Sequence, residues 1–415
     1  MTTMRSCCLK LSTRKTRFTA ANTRTPIANR NQNHANRSLS TKSRVGFCKL
    51  MSGKPMVATV QPNYILRSTN LRNGGRFKAM KSIWWLTVFL LGMVPSAMHG
   101  QDLQQSALDG IPILPSKTDP EIKTFDTPHF IYLNRDIVIS KNSSLPADRH
   151  QLLLFIPGTQ PTGHGGGKGP YKFLEEAANL GYHVIKLTYP NDVAAAEACN
   201  KDRNPRAFED FRMTLIAGGS FNNAFKDVTI TRADSIENRL IKLLLYLKQT
   251  RPQEHWEQFL NDDNTIKWET IAVAGQSQGG GHAALIAVKH RVARVICSGA
   301  PKDYNHFLNR PAAWYHEESA TPKGCFFAFN HDQDRTGNCT PEEQMKNLRA
   351  LGLERFGAPA DVDTEKPPYH HTRILTTDYP GGKLESVEAH ETFLNPKNAD
   401  VFKIVWDYVL TEPGQ

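Results

Sequence analysis

Residues 270–287 read TIAVAGQSQGGGHAALIA. The run at 270–275 has the length and composition of a buried strand. It leads into Gly275-Gln276-Ser277-Gln278-Gly279, and from Gln278 onward the pattern reads as helix. A serine held between a strand end and a helix start must adopt a strained backbone. Its neighbours two positions away on each side must be tiny for strand and helix to close up. Gly275 and Gly279 occupy those positions. The helix start also aims free N–H groups and a positive dipole end at the same place. Ser277 thus has two readings, a nucleophile lifted out of a tight turn or a structural corner, and its surroundings decide between them.

Upstream, HQLLLFIPG (150–158) and YHVIKLTYP (182–190) read as strands, with YKFLEEAANLG (171–181) a helix between them. ADSIENRLIKLLLYLKQT (233–250) is an amphipathic helix with Ile236, Leu240, Leu243, Leu244 and Leu247 on one face. Downstream, ARVICSGAP (293–301), CFFAFNHD (325–332) and TRILTTDYP (372–380) read as strands. Thr340-Pro341-Glu342-Glu343 is a capping box opening a helix to about residue 353, and NADVFKIVWDYVL (398–410) is a closing helix. This alternation predicts an α/β fold, a mostly parallel central sheet with helices on both faces. HFIYLNRDIVI (129–139) is expected to add antiparallel strands at one edge. Residues 191–231 are polar with little clear period and read as an insertion, as do residues 302–324.

In an open α/β sheet, ligands gather at the carboxyl ends of the strands, and Ser277 sits at such an end. A serine hydroxyl needs a base held by a third group. The chain order expected on this architecture is serine, acid, histidine. Asp334 follows a late strand and is the preferred acid, with Asp332 the alternative. His390 lies after the last strand and is the only histidine beyond residue 374. His370 and His371 precede that strand, at its wrong end, and His282 falls one turn into the helix after Ser277. Two N–H donors for an oxyanion are expected. One is assigned to Gln278, the other to Thr159 or Gln160 in the loop after the strand at 150–158. His164-Gly165-Gly166-Gly167 lies six residues past Gly158, too far for the usual donor position. Lys168 is followed by Gly169 instead of serine or threonine, so GHGGGKGP is not a phosphate loop.

These features resemble the α/β-hydrolase superfamily, in its secreted bacterial esterase-like and lipase-like members, over residues 125–412. The resemblance implies a serine hydrolase of carboxylic esters, with Ser277 as nucleophile, His390 as base and Asp334 as its orienting acid. It implies no metal and no organic cofactor. The long insertion at 191–231 and the displaced HGGG depart from the pattern and leave pocket shape and substrate class open. A peptidase or an acyltransferase would use the same residues, and a non-catalytic binding protein on the same fold is the reading from another class. Tyr304, Phe307, Trp314 and Tyr315 either wall a pocket or pack their insertion onto the body.

Charge separates the rest of the chain. The 415 residues carry a formal net charge of +11. Residues 1–80 hold 16 Lys or Arg and no Asp or Glu, so the remainder is mildly acidic at −5. A nucleic-acid partner is not expected, because no basic-aromatic patch survives outside the prefix. MKSIWWLTVFLLGMVPSAMHGQ (80–101) has the cationic start, short apolar run and small residues of a secretory signal peptide. Its apolar run is short of the ~20 residues of a spanning helix. The expected organisation is a basic prefix at 1–79, untranslated with Met80 as the start or a transit segment; a signal peptide at 80–100; and one α/β domain at 101–415. The expected location is secreted or periplasmic, with membrane contact only through an uncleaved signal segment. The expected partner is a small or polymeric ester substrate. Cys199, Cys297, Cys325 and Cys339 fall in the mature part; export permits disulfides, and spacing does not assign them. No C-x-x-C occurs, so a cysteine zinc site is not expected.

Overall fold

The computed structural model describes residues 107–140, 143–160 and 169–414. The basic prefix, the segment at 80–100 and the HGGG run lie outside the described residues. Thirteen strands occur among those described: β1 Ile111–Ile113, β2 His129–Tyr132, β3 Leu152–Ile156, β4 His183–Lys186, β5 Gly219–Asn222, β6 Asp227–Ile230, β7 Ile271–Gln276, β8 Arg294–Ser298, β9 Tyr304–Asn305, β10 Arg310–Pro311, β11 Phe326–His331, β12 Ala360–Asp361 and β13 Ile374–Thr377.

Nine of them form one sheet in the order β1-β2-β4-β3-β7-β8-β11-β13-β12. Every pairing from β4 to β12 is parallel, and only β2 runs against both its neighbours. The mostly parallel sheet expected from the alternation of elements is present. The edge segment at 129–139 supplies one strand instead of several. Asn134 caps a short helix, Arg135–Val138, by accepting from the N–H groups of Asp136 and Ile137, and this turns the chain off the sheet.

The inner strands are buried on both faces, and their alternate residues enter different cores. Leu152, Leu154 and Ile156 of β3 pack with Leu240, Leu243, Leu244 and Leu247 of helix Ile236–Thr250. Leu153 and Phe155 pack on the opposite face with Phe173, Leu174 and Trp406, from helices Tyr171–Asn179 and Ala399–Thr411. Burying a side chain of this size contributes roughly 1.5–3 kcal/mol. The register Gln276↔Ser298 between β7 and β8 brings the carboxyl ends of these two strands side by side.

The segment at 191–231 is ordered, in contrast to its weak sequence period. It forms helices Ala195–Cys199 and Ala207–Ala217 and the hairpin β5–β6. Phe208, Phe211, Leu215 and Ile216 join the main core from this segment. Cys199, Cys297, Cys325 and Cys339 are all free thiols. Burial pushes the Cys297 thiol up to about 12. Among the described residues, no helix is long and apolar enough to cross a membrane.

Candidate active site

β7 ends at Gln276, helix Gln278–Lys289 begins two residues later, and Ser277 is the hinge between them at φ 55°, ψ −122°. That conformation costs a non-glycine residue about 1–3 kcal/mol and persists only where its surroundings impose it. Here the Ser277 N–H donates to the Ser298 carbonyl at 2.9 Å, and the Ser277 carbonyl accepts from Gly281 N–H at 3.2 Å. The two glycines flanking the turn are obligatory for steric reasons. A Cβ on Gly275 would overlap the Gly279 backbone, and one on Gly279 would overlap the Ile156 carbonyl. Further along, Gly281 leaves room for the buried guanidinium of Arg212.

His390 comes from near the far end of the chain, in the last turn of helix Ser386–Glu391. Glu385 and Glu388 form a capping box that fixes the helix start. The His390 Nδ1 lies 2.7 Å from Asp334 Oδ2. Asp334 is fully buried in the loop after β11. The imidazole also lies against Gly299, where a Cβ would fall 2.7 Å from Nδ1. Gly299 is the next residue after Ser298, whose carbonyl holds the Ser277 amide. Ser277 and His390 thus both adjoin one short backbone stretch, residues 298–299.

The other oxygen of Asp334 is densely partnered. Oδ1 accepts from Lys302 Nζ at 2.8 Å, Thr336 N–H at 2.9 Å and Thr336 Oγ1 at 2.7 Å. Burial would raise this carboxyl's pKa, but the hydrogen bonds from His390 and Lys302 and the Lys302 charge outweigh it and hold the group well below the usual carboxylate range. Asp332 is exposed on the same loop, where partial desolvation by its neighbours, with the nearby Asp361, Asp378 and Asp363, raises its pKa. It makes no hydrogen bond to His390.

The loop after β3 approaches from a third side. A Cβ on Gly158 would fall 3.0 Å from Ser277 Cβ. Asn191 pins this loop, donating from Nδ2 to the Gly158 carbonyl at 2.6 Å and accepting from Gln160 N–H at 3.0 Å. The Gln160 amide is thus committed to Asn191, while the Thr159 amide has no acceptor among the described residues. Gln278 opens the helix after Ser277. Its side chain accepts from Ala195 N–H at 2.7 Å and donates to the Val193 carbonyl at 3.0 Å, tying the 191–231 segment to the turn. Arg212 adds a second tie. It donates to the Gln278 carbonyl at 2.8 Å and pairs with Asp303 through Nε–Oδ2 at 2.7 Å.

The remaining histidines lie elsewhere. His282 is buried between Tyr189 and Arg212, and desolvation together with the Arg212 charge pushes its pKa well below the ordinary value. His371 pairs with Glu412, and His370 with Glu365. Of the four aromatic residues at 304–315, Tyr304, Trp314 and Tyr315 are buried in the body, Trp314 donating to Asp303 and Tyr315 accepting from its N–H. Phe307 is exposed, beneath the Arg203 guanidinium. Among the described residues no group of three or more His, Cys, Asp or Glu could hold a metal ion.

Sequence reasoning did not single out Lys302, Thr336, Gly299, Asn191 or the Arg212–Asp303 pair. The available signal was positional: Gly299 and Lys302 follow the carboxyl end of β8, and Asn191 follows β4.

A sheet whose only reversed strand is its second, with β3 and β4 exchanged in space and a strained serine after the next core strand, is specific. The architecture is the α/β-hydrolase fold. No family model matches the sequence, and no curated protein matches it. Similar solved structures include an acetyl xylan esterase from Aspergillus awamori, 13% identical over 59% of this chain and 80% of that one, with a TM-score of 0.31. An alpha-beta serine hydrolase homologue from Coxiella burnetii is 16% identical over 58% of this chain and 81% of that one, with a TM-score of 0.31. Thermogutta terrifontis esterase 2, phosphoramylated by tabun, is 14% identical over 73% of this chain and 96% of that one, with a TM-score of 0.33. What the site does chemically is read from its own residues.

Proposed function

We propose that the chain is a serine hydrolase acting on carboxylic esters through a Ser277–His390–Asp334 triad. The observation that carries this reading is the strained Ser277 and the His390–Asp334 pair meeting at one backbone stretch, residues 298–299. An ionised Asp334 only accepts, so His390 Nδ1 carries a proton and Nε2 presents a lone pair. Ser277 Oγ attacks the acyl carbon as its proton passes to Nε2. The Gln278 and Thr159 amides donate to the oxygen that gains charge. The tetrahedral intermediate collapses, the leaving alkoxide takes the proton from Nε2, and an acyl-serine remains. Water then repeats the sequence, with His390 again as base, and releases the acid.

A fluorophosphonate probe tests the reading. The intact chain is expected to form one covalent adduct, and His390→Ala to slow its formation at least roughly a thousandfold, because the serine loses its base. A folded wild-type chain that does not react would favour a binding protein on this fold. A screen of p-nitrophenyl esters of graded acyl length and of acetylated sugars then assigns the ester class.

A further inference from the structure

Lys302 is a buried charge with no place in the reaction steps above. Its side chain is 8% exposed, and its three hydrogen bonds go to Asp334 Oδ1 at 2.8 Å, Thr336 Oγ1 at 2.9 Å and the Thr336 carbonyl at 3.1 Å. It does not contact His390; it grips the oxygen of Asp334 that faces away from the imidazole. We propose that Lys302 is a positioning residue of the triad that balances the charge of Asp334, so that His390 remains a free base in more acidic solution than the carboxylate alone would allow. The inference rests on the triad read above.

The electrostatics run in one direction. A buried carboxylate 2.7 Å from an imidazole favours the protonated ring, and a protonated ring accepts no proton from serine. An ammonium on the far oxygen opposes that preference, and burial keeps both charges poorly screened. Thr336 separates the two roles a lysine here combines. Its N–H and Oγ1 hold Oδ1 without any charge, so the carboxylate stays oriented when the ammonium is removed. Other ionisable groups do not substitute for Lys302. On its own side it faces the Cys339 thiol, which burial keeps protonated. Asp332 and Arg335 on the acid's loop, and Glu388 and Glu391 on the histidine's helix, are exposed and screened by solvent. Gly299, packed on the ring, carries no charge.

The test is the pH dependence of fluorophosphonate labelling in the full chain, with Lys302→Met and Lys302→Arg beside the wild type and a thermal melt of each. The wild-type rate is expected to fall along a single acid limb. In Lys302→Met that limb moves up by about one pH unit, and in Lys302→Arg it stays near the wild-type position. The proton on His390 Nδ1, read as a far-downfield NMR signal, follows the same shift. A Lys302→Met limb at the wild-type position, whether or not the plateau rate falls, overturns the proposal and leaves Lys302 a structural tie. If Lys302→Met lacks a cooperative melt, Lys302→Gln, which keeps a donor and removes the charge, is read the same way. A wild type that is folded yet unlabelled at every pH overturns the triad itself, an outcome distinct from an unshifted limb.

Discussion

Asp334 carries a heavy local demand, with four donors on two oxygens and no solvent exposure. Its folded pKa lies below its unfolded value, so the stability it contributes is fully present above about pH 4. It is lost as the pH falls through the depressed folded value. Acid titration of unfolding free energy is therefore expected to be shallower in Asp334→Asn than in the wild type below about pH 4. The same substitution leaves the ring without its carboxylate and is expected to lower kcat by roughly ten-thousandfold. Ester hydrolysis measured beside chemical denaturation checks both, and equal acid slopes would remove Asp334 from the titrating set. At this scale the sequence was readable where chemistry forces an order along the chain. Ser277, Asp334 and His390 could be named because an elbow, a late acid and a terminal histidine follow one another. Lys302 could not, because a lysine after a strand end looks like any solvated loop residue until its partner 32 positions away is in view.

Elements whose buried face is mostly apolar were legible, even with the buried Arg239 in helix Ile236–Thr250, and elements that bury several polar residues were not. Helix Ile236–Thr250 shows a leucine stripe, whereas helix Ala207–Ala217 buries Glu209, Arg212 and Thr214 along with its apolar residues. Arg212 is affordable inside the protein only because Asp303, the Gln278 carbonyl and the space at Gly281 receive it. β1 and β12 span three and two residues and carry too little pattern to be read. The Arg212–Asp303 pair makes a prediction for the element it anchors. Arg212→Leu leaves a buried carboxylate unpaired and is expected to cost about 3–5 kcal/mol. It also frees the helix from the turn at Gln278, so ester hydrolysis should fall with stability. The Arg212→Leu, Asp303→Leu double variant, with no orphaned charge, is expected to recover part of the loss. A denaturation midpoint unchanged by Arg212→Leu would contradict the anchoring role.

The order of strands and helices across residues 111–411 accounts for the whole fold, because each strand–helix alternation buries one more layer on each face of a single sheet. The prefix rich in Lys and Arg contributes nothing to that pattern. A chain beginning at Gln101 is therefore expected to fold and to hydrolyse esters at the full-length rate, checked by circular dichroism and turnover. Insoluble protein from that chain, with the longer one soluble, would contradict the boundary. We propose export for the chain on the strength of the segment at 80–101, and terminal sequencing of protein recovered outside the cytoplasm tests it.

Ser277 is the residue on which the triad depends, and the most direct measurement is ester turnover by Ser277→Ala. The substitution removes one oxygen at a position whose backbone is held by Ser298 and Gly281. Turnover is expected to fall at least roughly a thousandfold, with the cooperative melt retained. A folded Ser277→Ala that keeps most of the wild-type hydrolysis would contradict the nucleophile, and with it the triad.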